Sequence, residues 1–154
     1  MSSVKLDMSG FKELKNKLDT KKKVRVGILG ADNSRDGEPF GNAEIGLVQE
    51  MGSTTKNIPP RSFIRMPLEK NAKQLASVFN TNIIRNAIEN GDIDTALELL
   101  GIKAEAIIQE AFETQGFGQW AANAPSTASQ KGSSSPLIDT GELRKSISSE
   151  VVDG

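Results

Sequence analysis

The spacing of apolar residues changes along the chain from a helical period to a strand period and back. Within residues 1–22, the apolar side chains that follow Ser9 recur every three or four positions, which predicts an N-terminal helix. Residues 24–28 alternate between β-branched and other residues, which predicts a strand. The apolar positions of these two elements are Phe11, Leu14, Leu18, Val24, Val26 and Ile28.

The next part of the chain predicts two irregular segments on either side of a short helix. Residues 30–41 are dense in turn-forming residues and predict a surface loop. Asn42 is suited to cap the helix that follows, and Gly52 to end it in a left-handed conformation. Residues 57–66 predict an extended arm or loop, because a proline at position 60 disfavours helical backbone at the residue before it.

Residues 67–114 predict a pair of helices that pack against each other. Pro67 is suited to the first turn of a long helix, whose apolar face continues to Ala87. A second helix is predicted to begin at Asp92 or Asp94. Gly101 lies inside that second helix, where glycine costs about 1 kcal/mol relative to alanine, so we expect a close contact or a break there.

The last forty residues predict a loop and then a short terminal helix and strand. Residues 115–136 contain few apolar side chains besides Trp120 and predict an irregular loop. Residues 137–154 predict the terminal helix and strand. Asp139 and Glu142 have the spacing of a capping box at the start of that helix. Structural capping roles are therefore expected for Asp139, Thr140 and Gly141.

Length and composition favour one domain of the α+β class. A chain of 154 residues fits a single domain over 1–154. The elements above predict a small mixed sheet packed with helices, long central helices and extended loops or arms. Only 36% of the residues are hydrophobic and the mean hydropathy is -0.36, so we expect neighbouring subunits to complete part of the core.

Residue usage argues against an enzyme and against a dedicated nucleic-acid binder. Histidine and cysteine are absent, which excludes a Ser-His-Asp or Cys-His mechanism and any thiolate metal site within the chain. We expect no catalytic residues, no cofactor and no bound metal. The net charge of -1 gives no broad basic field, although Lys21–Lys23, Arg61 and Arg65 leave a local basic patch open. No apolar run is long enough to span a membrane.

Two short motifs with catalytic associations have simpler interpretations. Residues 26–31 follow a strand and contain two glycines, but a dinucleotide fingerprint needs a third glycine and a helix that opens at once. The Asp139-Thr140-Gly141 triplet occurs in aspartic proteases, which need a second aspartate and a β-rich setting. Helix capping explains the triplet better in this chain.

Three segments, taken in order, resemble the tail-completion or virion-morphogenesis proteins of long-tailed bacteriophages. They are AEIGLVQEMG at 43–52, IPPRSFIR at 58–65 and PLIDTGELRKSI at 136–147. The resemblance spans residues 24 to 152, and the Asp-Thr-Gly segment is its most specific part. Met51 stands where that family usually has an aromatic residue, and Ser62 replaces its second proline.

This resemblance implies a structural virion protein of the phage neck. Such a protein is assembled in the host cytoplasm and forms a homo-oligomeric ring, six-fold to match the tail, between the tail tube and the head connector. Its partners would be itself and other tail and connector proteins, with DNA passing through the ring. A tail-terminator or connector subunit, or a nucleic-acid-associated module that lines the DNA channel, are the alternatives.

The extended arm and its neighbours supply the candidate interface residues. Arginine and aromatic side chains are enriched at interface hot spots, and a proline-rich backbone is rigid. For Phe63, burial in the subunit's own core is an equal alternative, whereas for Trp120 we favour an interface. The interface candidates are Met51, Gly52, Pro59, Pro60, Arg61, Phe63, Arg65 and Trp120.

Overall fold

The computed structural model describes residues 9–19, 21–30, 33, 39–125, 129, 136–137 and 141–154. Helices pack around one antiparallel strand pair, which confirms the α+β expectation. The elements in chain order are α1 (Ser9–Leu18), β1 (Lys23–Ile28), α2 (Asn42–Met51), α3 (Arg65–Lys70), α4 (Ala72–Ala76), a 3-10 helix (Ser77–Asn80), α5 (Asn82–Glu89), α6 (Ile93–Glu113), α7 (Glu142–Lys145) and β2 (Ile147–Val152).

The sheet joins the predicted first strand to the predicted last strand. β1 and β2 are antiparallel, with Lys23 opposite Val152 and Ile28 opposite Ile147. The long helix α6 crosses this sheet at Gly101. A Cβ atom at that position would lie 2.5 Å from Ser149 Oγ and 3.3 Å from Val24 Cγ1. The close contact predicted at Gly101 is therefore confirmed, because helix and sheet could not approach this closely around a side chain.

The prediction of one continuous helix after Pro67 is wrong. The chain forms α3, α4, the 3-10 turn and α5 instead. The first break is at Asn71, whose side-chain amide donates to the carbonyl of Pro67 at 2.9 Å. The last break is at Thr81, whose backbone is extended and whose hydroxyl donates to the carbonyl of Val78. These polar side chains compete with helical backbone bonds, so they outweigh the apolar spacing.

Helix α6 begins where the sequence predicts, and α5 packs against it. Asp92 is the N-cap, and its carboxylate accepts a hydrogen bond from the backbone N–H of Thr95 at 3.1 Å. The helix continues for 21 residues to Glu113. The predicted helical pair is therefore correct in its second member and in the contact between α5 and α6.

Helix α2 is capped by a different residue from the one predicted. The helix begins at Asn42, which is buried inside it. Asn33 from the preceding loop caps it: its carbonyl accepts from the N–H of Asn42 at 2.8 Å, and its side-chain oxygen accepts from the N–H of Ala43 at 2.7 Å. Gly52 ends the helix as predicted and has a positive φ of 76°, but its ψ of 176° is extended, so the backbone is not in the left-handed helical conformation that was predicted.

The C-terminal helix starts later than the capping box predicts. A box that begins at Asp139 requires a helix from residue 140, but α7 begins at Glu142, directly after Gly141 with φ 78°. That register is therefore wrong. Asp139 and Thr140 themselves lie outside the described residues. Ile147 is the first residue of β2.

Among the residues that the structure describes, two apolar clusters of different size stabilise the fold. The main core collects buried side chains from the arm, α6 and the C-terminal region. Its members are Phe63, Ile108, Ala111, Phe112, Trp120, Leu137, Leu143 and Ile147. The small core lies where α5 meets α6 and contains Ile84, Ala87 and Ala96.

Candidate interaction surface

Glu50, near the end of α2, holds the arm that leads into α3. One carboxylate oxygen accepts from the backbone N–H groups of Phe63 and Ile64 at 2.7 and 3.0 Å. The other accepts from the hydroxyl of Ser62 and from the N–H of Arg65 at 3.2 Å. A carboxylate placed on free N–H groups at a helix start satisfies donors that have no partner within the helix. Glu50 therefore acts as the cap of α3 from a separate helix.

Ser62 extends the same network. Its hydroxyl accepts from the N–H of Met66 at 2.9 Å while it donates to Glu50. Its backbone carbonyl accepts from the indole N–H of Trp120 at 3.1 Å. The phage proteins that this segment resembles have a proline at this position, and a proline would supply no hydroxyl. The serine thus links the arm both to α2 and to the segment after α6.

Arg61 is buried and turns its guanidinium into the protein. Nε donates to the carbonyl of Ala121 at 2.9 Å, and Nη2 donates to the carbonyl of Ala122 at 3.0 Å. Its own backbone N–H donates to the carbonyl of Gln49 at 2.7 Å. Burial lowers the pKa of the Arg61 guanidinium from its ordinary value. The Arg61 side chain therefore attaches the loop after Trp120 to the arm. It is not exposed, as the predicted interface arginine would be.

Both aromatic residues predicted at an interface belong to the main core. Phe63 is fully buried, and its ring centroid lies 5.4 Å from that of Phe112. Trp120 packs edge-on against the same Phe112 ring at 5.7 Å and is also buried. For Phe63 the core alternative is therefore the correct one. The expectation that Trp120 needs an interface for its burial is wrong, since nearby turns and the arm cover it within one chain.

Three of the remaining candidates, Met51, Pro60 and Arg65, are exposed, and so is Leu47 of α2. The side chain of Met51 is 66% exposed, and that of Leu47, one helical turn earlier, is 64% exposed. Pro60 on the neighbouring arm and Arg65, the first residue of α3, are also exposed. We call Leu47, Met51, Pro60 and Arg65 the α2 corner. Gly52 and Pro59 are half-buried beside it.

Gly52 keeps the α2 corner compact. A Cβ atom on Gly52 would lie 2.9 Å from both the carbonyl oxygen of Ile58 and the backbone nitrogen of Pro60. A side chain at position 52 is therefore disfavoured for two reasons: it would collide with these backbone atoms, and the positive φ would strain its backbone. The arm folds back as a small bridge between Ser53 and Ile58. The end of α2 and the arm therefore form one rigid unit.

Sequence reasoning missed Glu50 and Leu47. The spacing of Leu47 is that of an apolar-face residue of α2, but the helix directs Gly46, rather than Leu47, toward the core. Glu50 carries no signal of its own, because a glutamate in the last turn of a helix is common and its partners lie twelve or more residues away. Only the fold brings those donors to it.

The three segments that carry the resemblance meet at one point. A Cβ atom on Gly46 of α2 would lie 3.3 Å from Cζ of Phe63 in the arm and 3.5 Å from Cδ1 of Leu143 in α7. These residues belong to the first, second and third segment, respectively. The segments are therefore one structural unit around the main core.

The lysine run is partly engaged in contacts within the chain. Lys22 Nζ lies 2.6 Å from both carboxylate oxygens of Asp94, and this hydrogen bond raises the pKa of Lys22. Lys17 donates to the carbonyl of Glu89 at 2.7 Å. These contacts attach the end of α1 and the start of β1 to the α5–α6 region. They leave fewer free cations for a phosphate backbone than the sequence indicated.

Acidic side chains do not gather into a metal-binding group anywhere in the described part of the chain. Among the helices described, none has the length and apolar character needed to cross a bilayer.

No family model, no curated protein and no solved structure matches this chain.

Proposed function

We propose that this chain is a structural subunit of the neck of a long-tailed bacteriophage. In this role it acts in tail completion or head-tail joining, as a ring of identical copies between the tail tube and the head connector. The observation that carries the proposal is the order of the three resembling segments, together with their meeting at Gly46, Phe63 and Leu143. A motif order that corresponds to one packed unit is a stronger indication than three separate matches.

The α2 corner supports a docking role for the same unit. It combines two exposed apolar side chains on one face of α2 with a rigid proline backbone and the exposed Arg65. Apolar anchors and arginine are favoured in the buried centre of protein interfaces. The Glu50 network fixes this surface beforehand, so little conformational entropy is lost when a partner binds. We therefore expect the α2 corner to meet another tail or connector protein.

The related tail-terminator and connector roles require the same properties and remain the alternatives within this proposal. A nucleic-acid-associated role is less well supported. One of its two arginines, Arg61, is committed to backbone carbonyls, and Lys22 is paired with Asp94. Binding of the purified protein to DNA that weakens steeply with salt would favour that alternative.

The functional experiment is removal of this protein from the phage or prophage that encodes it. We expect electron micrographs to show filled heads and complete tails that are not joined, and addition of purified protein to restore joining. A Met51→Asp, Leu47→Asp variant should fail to restore it, whereas an Ile83→Asp control, on an exposed position of α5, should succeed. Intact virions in the absence of the protein would contradict the proposal.

A further inference from the structure

We infer that the groove between β2 and α6 is a docking site for a short extended segment of another protein, in which two basic side chains flank an apolar one. The groove shares no residue with the α2 corner. The inference therefore goes beyond the neck proposal and stands independently of it.

The groove has an apolar floor. Its volume is about 330 Å³, and Val24, Leu97 and Val151 are half-buried in its lining. Ile102 of α6 lines it with 59% of its surface exposed, although isoleucine is usually buried. An apolar side chain of a partner that covers Ile102 would remove this surface from water, which is favourable.

A stripe of polar residues runs along the face of α6 that carries Ile102. The members of this stripe recur every three or four positions, so they lie on one side of the helix. Ile102 interrupts the stripe at its middle. The polar members are Asp94, Glu98, Glu105, Gln109 and Glu113.

Basic side chains from other elements already contact both ends of this stripe. Lys22 Nζ lies 2.6 Å from both carboxylate oxygens of Asp94. At the other end, Arg144 Nε donates to the side-chain oxygen of Gln109 at 2.6 Å, and its Nη2 donates to Glu113 at 2.6 Å. Each end of the stripe is therefore paired within one chain.

The middle of the stripe has no such cation. Within the described part of the chain, neither Glu98 nor Glu105 has an ion pair or a side-chain hydrogen bond, and both border the groove. Glu150, a third acidic residue at the groove, is already 3.9 Å from Arg25. The unpaired glutamates lie on either side of Ile102 along the helix. A partner of complementary charge therefore carries a basic residue for each glutamate and an apolar residue between them.

The distance between the two glutamates sets the spacing of the basic residues. Glu98 and Glu105 are seven residues apart in α6, which is about 10.5 Å along the helix axis. In an extended chain, residues i, i+2 and i+4 share one face and span about 13 Å. Arginine and lysine side chains are long enough to cover the difference. Basic residues at i and i+4 with an apolar residue at i+2 therefore fit this surface.

A synthetic peptide with this pattern is the probe. The peptide GRTVTRG has the two arginines and the central valine, and the control peptide GETVTEG reverses both charges. Titration into the isotope-labelled full chain should shift the amide NMR signals of residues 97–105 and 149–151. The control peptide should bind at least tenfold more weakly, because like charges would face each other. No shift in the groove at millimolar GRTVTRG, or equal binding of the two peptides, would overturn the inference.

Removal of the two charges tests the role of the glutamates. A variant with Glu98→Gln and Glu105→Gln keeps the size of both side chains and should bind GRTVTRG at least tenfold more weakly than wild type. The matched control carries Glu44→Gln and Glu69→Gln, which remove two exposed charges outside the groove, and should bind as wild type does. Equal affinities of the two variants would contradict the role of the groove glutamates.

The groove floor has its own matched pair of substitutions. Ile102→Ser should weaken binding of GRTVTRG, because it removes the apolar surface that the valine covers. Ile83→Ser, at a position with 65% exposure on α5, should leave binding unchanged. Equal effects of the two substitutions would contradict a specific role for the floor.

Two other occupants of the groove would give different results. If the Glu98→Gln, Glu105→Gln variant lost a self-association that wild type shows in analytical ultracentrifugation, the groove would belong to a second copy. If another segment of the same chain covered the groove, the probe would not bind. Either result would overturn the inference, and neither would contradict the neck proposal, which rests on the three resembling segments.

Discussion

The main core and the small core are both buried apolar clusters, but they join residues at very different separations along the chain. The main core joins residues far apart in sequence, such as Phe63, Phe112 and Leu143, and a polar network through Glu50 and Arg61 surrounds it. The small core joins α5 to the start of α6, which follow one another in the chain.

The helix caps show the same contrast. Helix α6 is capped by Asp92, directly before it. Helix α3 is capped by Glu50, fifteen residues before its first residue. A local cap can form whenever the helix forms, whereas a distant cap exists only in the complete fold. We therefore expect changes near the main core to affect global stability, and changes near the small core to have smaller, local effects.

Truncation of a buried aromatic residue of the main core should have the largest effect on stability. Phe63→Ala removes a fully buried ring from the main core and should cost about 3–5 kcal/mol in the free energy of unfolding. Phe79→Ala, on the 3-10 turn where the ring is 42% exposed, should cost clearly less. Urea unfolding measures both. Equal costs would contradict the burial of Phe63 in the main core.

Loss of the distant cap should have the next largest effect. Glu50→Ala leaves N–H groups of the arm without their acceptor and should cost about 2–3 kcal/mol, since bonds to a charged group are strong and unmade ones are costly. Glu44→Ala on the exposed side of the same helix is the control and should change stability by about 0.5 kcal/mol or less. A cost for Glu50→Ala as small as that of its control would show that the network is incidental.

Arg61→Lys tests the buried guanidinium. A lysine ammonium cannot reproduce the planar fork that reaches the carbonyls of Ala121 and Ala122, so we expect a loss of about 1–2 kcal/mol. Arg65→Lys, at the exposed α2 corner, should be nearly neutral toward unfolding. If the two substitutions had the same effect in thermal unfolding, Arg61 would not fasten the loop.

The local cap should give the smallest effect, and it should depend on pH. Hydrogen bonds from the side chain and backbone of Thr95 lower the pKa of Asp92. The stabilisation is therefore present above the unfolded pKa of about 3.9 and is lost as the pH falls through the lower folded pKa. Asp92→Asn keeps a good capping residue without a titrating group. The advantage of wild type in Tm over this variant should disappear in acid; an advantage independent of pH would contradict the assignment.

Local signals in the sequence predicted the elements that depend on local physics. The alternation in β1, the cap at Asp92 and the positive φ of Gly52 are all found in the fold. The long helix after Pro67 was not found, because apolar spacing carries no information about the competing bonds of Asn71 and Thr81. The polarity pattern does not indicate whether a backbone carbonyl accepts from a helical N–H group or from a polar side chain.

The candidate surface was predicted only in part, for a related reason. A proline-rich arm with arginine and phenylalanine has the composition of an interface, but the same residues can be used to attach an arm to its own subunit. Which use applies to Arg61, Phe63 and Trp120 depends on Glu50 and Phe112, which lie distant in sequence. Met51 and Arg65 remained at the surface because nothing in the subunit covers them within the described residues.

The mass of the purified protein in solution tests the central claim most directly. Light scattering at several concentrations, with and without assembled tail tubes, should reveal a closed ring of about six times the 16.5 kDa of one chain, alone or on the tubes. A protein that remains a monomer at every concentration and ignores the tubes would contradict the account.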